Sequence, residues 1–273
     1  MFDSPIPIEK IILLSSIGYF DARLRVQTQP AETVKNLKAM ERLGNSQDGT
    51  LIASWANSFV QTRIVTFIAE HGETLPPALR ANLSSGVLGE AALVAAFQES
   101  IRGEQSLSEN AYAALEAGRK ENGDPLSGIE KRVVARMMGT TPDEIRQHAE
   151  RLRIITAKLG ESLYMRDEKF RRWQADFRAR HPAPSAEGPV EHMEGHMSFR
   201  ETARSTIVTQ AMARAALSIF DQGPSALTRY RDPLTGKVFG YRVVDANGSF
   251  ELQSEVLRND KPVTLTFQRG AKK

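Results

Sequence analysis

The chain has no cysteine, which removes disulfide cross-links and thiolate chemistry from consideration. It also lacks an early apolar run that could cross a bilayer. The most apolar early stretch, Ile11 to Phe20, is half the about 20 residues that a spanning helix requires. No basic segment precedes it and no small-x-small cleavage site follows it. It is therefore expected to be a core helix and not a signal peptide, with any targeting or anchoring segment outside these residues. An excess of one charge is missing too. Lysines and arginines number 36 against 33 aspartates and glutamates, and a net charge of +3 is too mild to point to nucleic acid or a membrane. Catalytic signatures are equally scarce. There is no Gly-x-Ser-x-Gly elbow and no histidine in a recognisable nucleophile–base pattern. Gly236-Lys237 is not a phosphate-binding loop, because the preceding glycine spacing is absent and a strand is expected to follow. Carboxylates are plentiful but scattered. What remains is 273 residues, 41% hydrophobic and 25% charged, ordinary for a soluble globular protein with one large domain or two small ones.

What the sequence does have is a sharp change of hydrophobic period around Arg231-Asp232-Pro233-Leu234-Thr235-Gly236-Lys237-Val238-Phe239-Gly240-Tyr241-Arg242. Before it, apolar residues recur at helical spacing, and beyond it they alternate. Asp232 and Pro233 suit the opening of a tight turn, and Gly236 can adopt a positive φ. Asn247-Gly248 is expected to close a two-residue hairpin. That register sets Val243 opposite Leu252, Tyr241 opposite Ser254 and Phe239 opposite Val256, with Phe250 on the same face. The other face carries Arg242 opposite Gln253 and Val244 opposite Glu251. A second turn at Asn259-Asp260 pairs Val256 with Val263, Ser254 with Leu265 and Leu252 with Phe267. All three strands then share one apolar face, as in a half-buried meander, and that face needs a cover.

Upstream, helices are expected over residues 8–26, from Pro30 to near Gly44, and from Thr50 to His71 behind an Asp48 cap. The last carries Leu51, Ile52, Trp55, Phe59, Val60, Ile64, Phe67 and Ile68, enough for two buried faces. Shorter helices follow from Pro76-Pro77 to Ser85, from Gly89 to Arg102, and over about 108–119. Ser127 and Glu130 stand at capping-box spacing before a helix ending at Gly139, and Thr141 with Glu144 repeats the device. There the longest helix starts, running toward Arg180 with a buried stripe of Ile145, Leu152, Ile155, Leu159, Leu163, Phe170, Trp173 and Phe177. Gly160 is the expected point of a bend or break. The proline- and glycine-rich residues 181–197 read as a flexible linker. Ser198 and Glu201 then open a helix through Phe220, whose narrow stripe of Ala203, Ile207, Ala211, Ala215 and Ile219 suits a helix lying across the sheet. The expected fold is mainly α: a helical hairpin or bundle domain over 1–180, the linker, and a small α+β module over 198–273. The module is expected to fold onto its own helix, apart from the helices before residue 180.

This module resembles the carboxy-terminal half of a type II secretion pseudopilin. The likeness lies in its helix, in the Asp-Pro-x-x-Gly-Lys turn of Asp232, Pro233, Gly236 and Lys237, and in the strands bearing Phe239, Tyr241 and Arg242. A similar tail ends a broad group of largely helical bacterial envelope proteins, where it follows helical hairpins with a Thr-Leu-Ile segment. Here Thr50-Leu51-Ile52 and Gly103-Glu104 stand in similar places. The resemblance implies an extracytoplasmic location, in the periplasm or cell envelope, with the cytoplasm as the alternative. It implies no particular activity, since shared fold elements do not carry function with them. The chain departs from pseudopilins in having no prepilin leader or long apolar amino-terminal helix among these residues. It also closes on Gln268-Arg269-Gly270-Ala271-Lys272-Lys273, where major pseudopilins carry an acidic, calcium-binding loop. No cofactor is expected.

Two clusters stand out as candidate sites. His192-Met193-Glu194-Gly195-His196 spaces two histidines as on one helix face, where they could hold zinc with His181 or Glu191. Glu194 follows the first histidine by two residues, which is not the zinc-protease spacing, and the surrounding prolines and Gly195 favour a linker. No tightly bound metal is expected. Arg166, Lys169, Arg171, Arg172, Arg178 and Arg180 surround Phe170, Trp173 and Phe177, a mixture that nucleic acid could use. Asp167, Glu168 and Asp176 interrupt it and the aromatics fall at helical spacing, so a core stripe with a solvated charged face is expected. The reading that follows is a non-catalytic helical envelope protein that binds protein partners or serves as a scaffold. It takes no nucleic acid, and meets a membrane only through a segment outside this chain. The alternative is a metal-dependent hydrolase using His192 and His196.

Overall fold

The computed structural model describes residues 8–45, 51–86, 89–120, 123–138, 141–181 and 189–270. Among them are nine α-helices: α1 (Ile8–Arg25), α2 (Pro30–Asn45), α3 (Leu51–His71), α4 (Pro77–Gly86), α5 (Glu90–Glu116), α6 (Gly128–Met138), α7 (Pro142–Ser162), α8 (Asp167–Arg180) and α9 (Pro189–Gln222). One antiparallel sheet follows, with β1 (Gly240–Val243), β2 (Phe250–Arg258) and β3 (Lys261–Phe267) side by side in that order. The protein is thus mainly α with a small β module at the end, as the change of period implies.

Three helix boundaries differ from expectation, each for a local reason. The two helices expected over 89–119 are one, α5, because a single interior glycine at Gly103 costs only about 1 kcal/mol. Residues 189–197, expected to be linker, are the first turns of α9, with Pro189 at the opening position where proline is well tolerated. Residues 182–188 lie outside the described residues. The long helix does break, but after Ser162 and not at Gly160. At that break the Arg200 Nε donates to the Ser162 carbonyl (3.1 Å), one Nη to the Met165 carbonyl (2.6 Å) and the other to Asp167 (2.7 Å). The guanidinium also lies 4.3 Å over the Phe170 ring. One side chain therefore ties the end of α7, whose Ser162 carbonyl also accepts from the Met165 amide (2.9 Å), to the start of α8. The capping box that starts α7 forms as expected, with the Thr141 hydroxyl accepting from the Glu144 amide (3.2 Å) and the Glu144 carboxylate from the Thr141 amide (3.0 Å).

The chain divides into two compact units. Unit 1 is Met1–Asp48, Ile52–Phe97 and Glu201–Lys273, and unit 2 is Gly49–Leu51 and Gln98–Arg200. This differs from the division at the linker, because the tail belongs with the first helices. The physical cause is α9. Its expected stripe is buried, but so are Val208, Met212, Ala213, Ala216 and Leu217 around the rest of its circumference. A helix enclosed on all sides needs more cover than one sheet. Leu37, Val60, Ile64, Phe67, Ile68 and Leu83 supply it, in one continuous core with Phe250, Leu252 and Phe267. Phe220 meets Phe250 and Phe267 edge-on, with centroids at 5.5 and 6.5 Å. It also reaches the end of α3 at Gly72, where a Cβ would stand 2.9 Å from its ring. The Gln268 amide donates to the Ala69 carbonyl (2.8 Å) and the Gly270 amide to Glu73 (2.8 Å), which fastens the sheet's end to α3 and the turn after it.

Within the sheet the faces are as expected except at Val243, which stands exposed, and the pairing is shifted by two residues. Tyr241 pairs with Leu252, Arg242 with Glu251 and Val243 with Phe250. The cause is a longer turn. Val244 donates to the Ser249 carbonyl (2.8 Å), leaving Asp245 to Gly248 as a four-residue loop in which Gly248 has φ +85°. The Asp245 carboxylate accepts from the Ser249 amide (2.9 Å). Hydrogen bonds from the Ser249 hydroxyl and amide hold its pKa below the usual aspartate value. The second turn is the expected one, with Asn259 and Asp260 both at positive φ and Arg258 paired with Lys261. An irregularity between Gln253 and Leu257 then resets the ladder, so Leu252 pairs with Leu265 and Phe250 with Phe267, replacing the expected Ser254–Leu265 and Leu252–Phe267 pairs. Ser254, a polar residue on the apolar face, is accommodated at that irregularity. Its hydroxyl accepts from the Val256 amide (2.9 Å) and donates to the buried Asp232 carboxylate.

Because the sheet and α3 share a core, Leu252→Asp should unfold the whole of unit 1, at a cost of roughly 4 kcal/mol or more. Hydrogen exchange should lose protection in residues 51–71 together with β1 to β3. Retained protection in α3 would mean that the tail folds separately.

Candidate functional site

The polar residues that the sequence brings forward fall mostly to structural duties. Asp232 is buried, and its carboxylate accepts from the Leu234 (2.8 Å) and Thr235 (3.2 Å) amides as well as from Ser254. Lys237 pairs with Glu255 at 2.6 Å on the surface. In unit 2, Phe170, Trp173 and Phe177 stack in a row along α8 at 5.6 and 5.4 Å, with both phenylalanines buried. The aromatics of the basic stretch thus line the core, as the helical spacing implies, and Arg172 of that stretch pairs with Glu168. His181 caps α8, donating its backbone N–H to the Phe177 carbonyl (2.9 Å) with its ring 4.6 Å from the Phe177 centroid. His192 and His196 lie in the backbone of α9, and their side chains lie outside the described residues. Among the described residues no group of three or more histidine, aspartate and glutamate side chains is placed to hold a metal ion.

One titratable cluster in unit 1 escaped the sequence reading, since its members are far apart in the chain. Tyr19 of α1 donates to Glu70 of α3 (3.1 Å), and Arg23 approaches the same carboxylate at 3.5 Å. The Arg63 guanidinium lies 5.2 Å over the Tyr19 ring. Burial, then the bond to Glu70, pushes the Tyr19 pKa up and keeps its hydroxyl a donor. His71 ends α3 with Nε2 3.7 Å from Glu70 and engaged in no hydrogen bond. Burial pulls its pKa down, Glu70 opposes that, and Arg23 adds to it. A neutral histidine and a protonated phenol beside an ion pair make a packing joint with a pH-dependent member.

Two concave surfaces lie in unit 2. One, of about 390 Å³, is walled by Leu115, Leu126, Val134, Ala135, Pro142 and Ile145, with Glu116 and Lys131 also lining it. The chain after α5 shapes it by turning back on itself: Gly118 donates to Leu115 (2.9 Å), Arg119 to Ala114 (2.9 Å) and Leu126 to Gly118 (3.3 Å). Of the charged residues lining it, Glu116 pairs with Arg146, which also meets Asp143 at 3.0 Å. The second, of about 160 Å³ between α5 and α7, includes Glu109, Tyr112, Arg146, Glu150 and Arg153. There Glu150 binds Arg153 at 2.7 Å, and that bond holds its pKa below the ordinary value. Leu115, Leu126 and Val134 belong to none of the apolar stripes legible in the sequence, and that lack of a partner was the available signal. Comparison with known proteins finds no matching family, no similar curated protein and no similar solved structure.

Elemental analysis after dialysis should find no tightly bound metal. One equivalent of zinc, lost when His192 and His196 are both changed to alanine, would reverse that expectation. His71 gives a signed pH effect. In the unfolded chain it takes up a proton near its ordinary value of about 6.5, and in the folded protein only at lower pH. Its neutral form therefore contributes stability that is complete above that value and lost as pH falls toward the folded pKa. Urea unfolding at about pH 7.5 and about pH 5.5 should show a smaller loss for His71→Gln than for the parent. Equal losses would remove His71 as the cause.

Proposed function

We propose that this protein is a non-catalytic helical binding protein or scaffold of the cell envelope, and that the apolar groove of unit 2 is where it receives a protein partner. The observation that carries the reading is the groove's composition: six apolar walls, with Lys131 and an Arg146-paired Glu116 beside them. A small-molecule site of that size ordinarily adds a few convergent polar groups that fix orientation. An apolar groove with a charged rim suits instead the hydrophobic side of an inserted helix. The envelope location rests only on the resemblance of the tail's sequence, around the Asp232 turn, to that of pseudopilins.

A photo-activated cross-linker placed at Val134 should give a discrete protein adduct in cells, and one at Lys169 on α8 should not. The adduct should disappear when Ala135→Arg fills the groove. No adduct at Val134, or equal adducts at both positions, would count against the groove. Fractionation of the same cells tests the location separately, and a purely cytoplasmic protein would remove the envelope from the proposal.

A further inference from the structure

We infer that a second copy of this chain covers the outer face of α1, forming an antiparallel helix pair about a two-fold axis. This concerns a different surface from the groove and does not rest on it. Helix α1 is apolar on two sides. Ile11, Tyr19 and Ala22 are buried in unit 1, with Ser15 between them. On the other side Leu13 (59%), Ile17 (55%), Phe20 (58%) and Leu24 (82%) stand exposed, with Leu14 (47%) beside them. A core helix has no need of that second stripe.

The spacing selects the occupant. Positions 13, 17, 20 and 24 repeat as four, three, four, the seam of paired helices. That series reads the same in both directions. A two-fold axis between Ile17 and Phe20 therefore sets Leu13 against the other copy's Leu24, and Ile17 against its Phe20, so the patch is complementary to itself. Asp21 and Arg23 of one copy then flank Leu14 and Ser16 of the other, so no like charges meet, and the opposed helix dipoles attract. A lipid surface fits less well, because helices that lie in a membrane interface carry a strongly basic polar face. Here Glu9 and Asp21 offset Lys10, Arg23 and Arg25, with Arg25 held by Asp21 at 2.6 Å and Arg23 near Glu70 at 3.5 Å. A helix of 18 residues is about 27 Å long, and one such face offers less than the ~800 Å² per partner of a standard interface. The pair is accordingly weak and reversible.

Sedimentation equilibrium of the full chain from ~1 μM to ~1 mM should show a monomer–dimer equilibrium. Ile17→Asp, an exposed position, should weaken it about 30-fold or more with an unchanged circular dichroism spectrum. The absence of native cysteine allows a direct test of orientation. The double variant Leu13→Cys with Leu24→Cys should form an intermolecular disulfide, and neither single variant should. A single variant that cross-links as well as the double would mean parallel pairing and overturn the proposal. So would a monomer at all concentrations, or self-association untouched by Ile17→Asp. Flotation with phosphatidylserine vesicles supplies the last arm: a monomer that binds them through Ile17 would assign the face to lipid.

Discussion

A helix with no exposed side must be covered all round, and α9 is such a helix along most of its length in unit 1. From Ala203 to Ile219 nearly every residue is buried, and the rest of the unit is arranged to keep it so. The alanines at 211, 213, 215 and 216 let neighbours approach closely, while Ile207, Met212, Leu217 and Ile219 fill the remaining volume. Helix α3 approaches from one side, with Gln210 bonded to Gln61 and Gln61 in turn to Asn57 (3.2 Å). The sheet approaches through the phenylalanines around Phe220. A buried amide chain of this kind fixes how the two helices are aligned along their axes, because sliding either would leave its partners unsatisfied.

The ends of helices are handled by arginine in both units. Arg80 donates to Asp221 at the end of α9 (2.9 Å) and to the Glu73 carbonyl (2.9 Å), while Arg200 donates to the Ser162 carbonyl at the end of α7 and to the Met165 carbonyl just after it. A planar fork with five donors can serve several acceptors at once, which lysine cannot. The corners of the fold are thus set by side chains distant in sequence.

This explains which parts of the structure were legible beforehand. The faces of the strands came from a period of two, and survived an error in pairing because that error was itself an even number of residues. The turn at Asn259-Asp260 was chosen by local chemistry and was found where expected. The hairpin at Asn247 was not, because Asp245 offers the Ser249 amide a better bond than a two-residue turn would provide. Breaks were misplaced where Gly103 and Gly160 suggested them, since glycine only weakens a helix, whereas Arg200 decides where one ends. The enclosure of α9 was hidden because one stripe already accounted for a cover over the sheet. The Tyr19, Glu70 and His71 cluster and the unit 2 groove join residues that no local pattern connects.

The assembly of unit 1 from both ends of the sequence has a consequence for its synthesis. Gly270 bonds to Glu73 across a separation of 197 residues. On the ribosome, α1 to α4 are made long before α9 and the sheet that complete their core. At about 5–20 residues per second, these apolar helices wait roughly ten seconds or more without their cover. During that interval the apolar faces of α1 to α4 lack the residues of α9 and the sheet that complete their core.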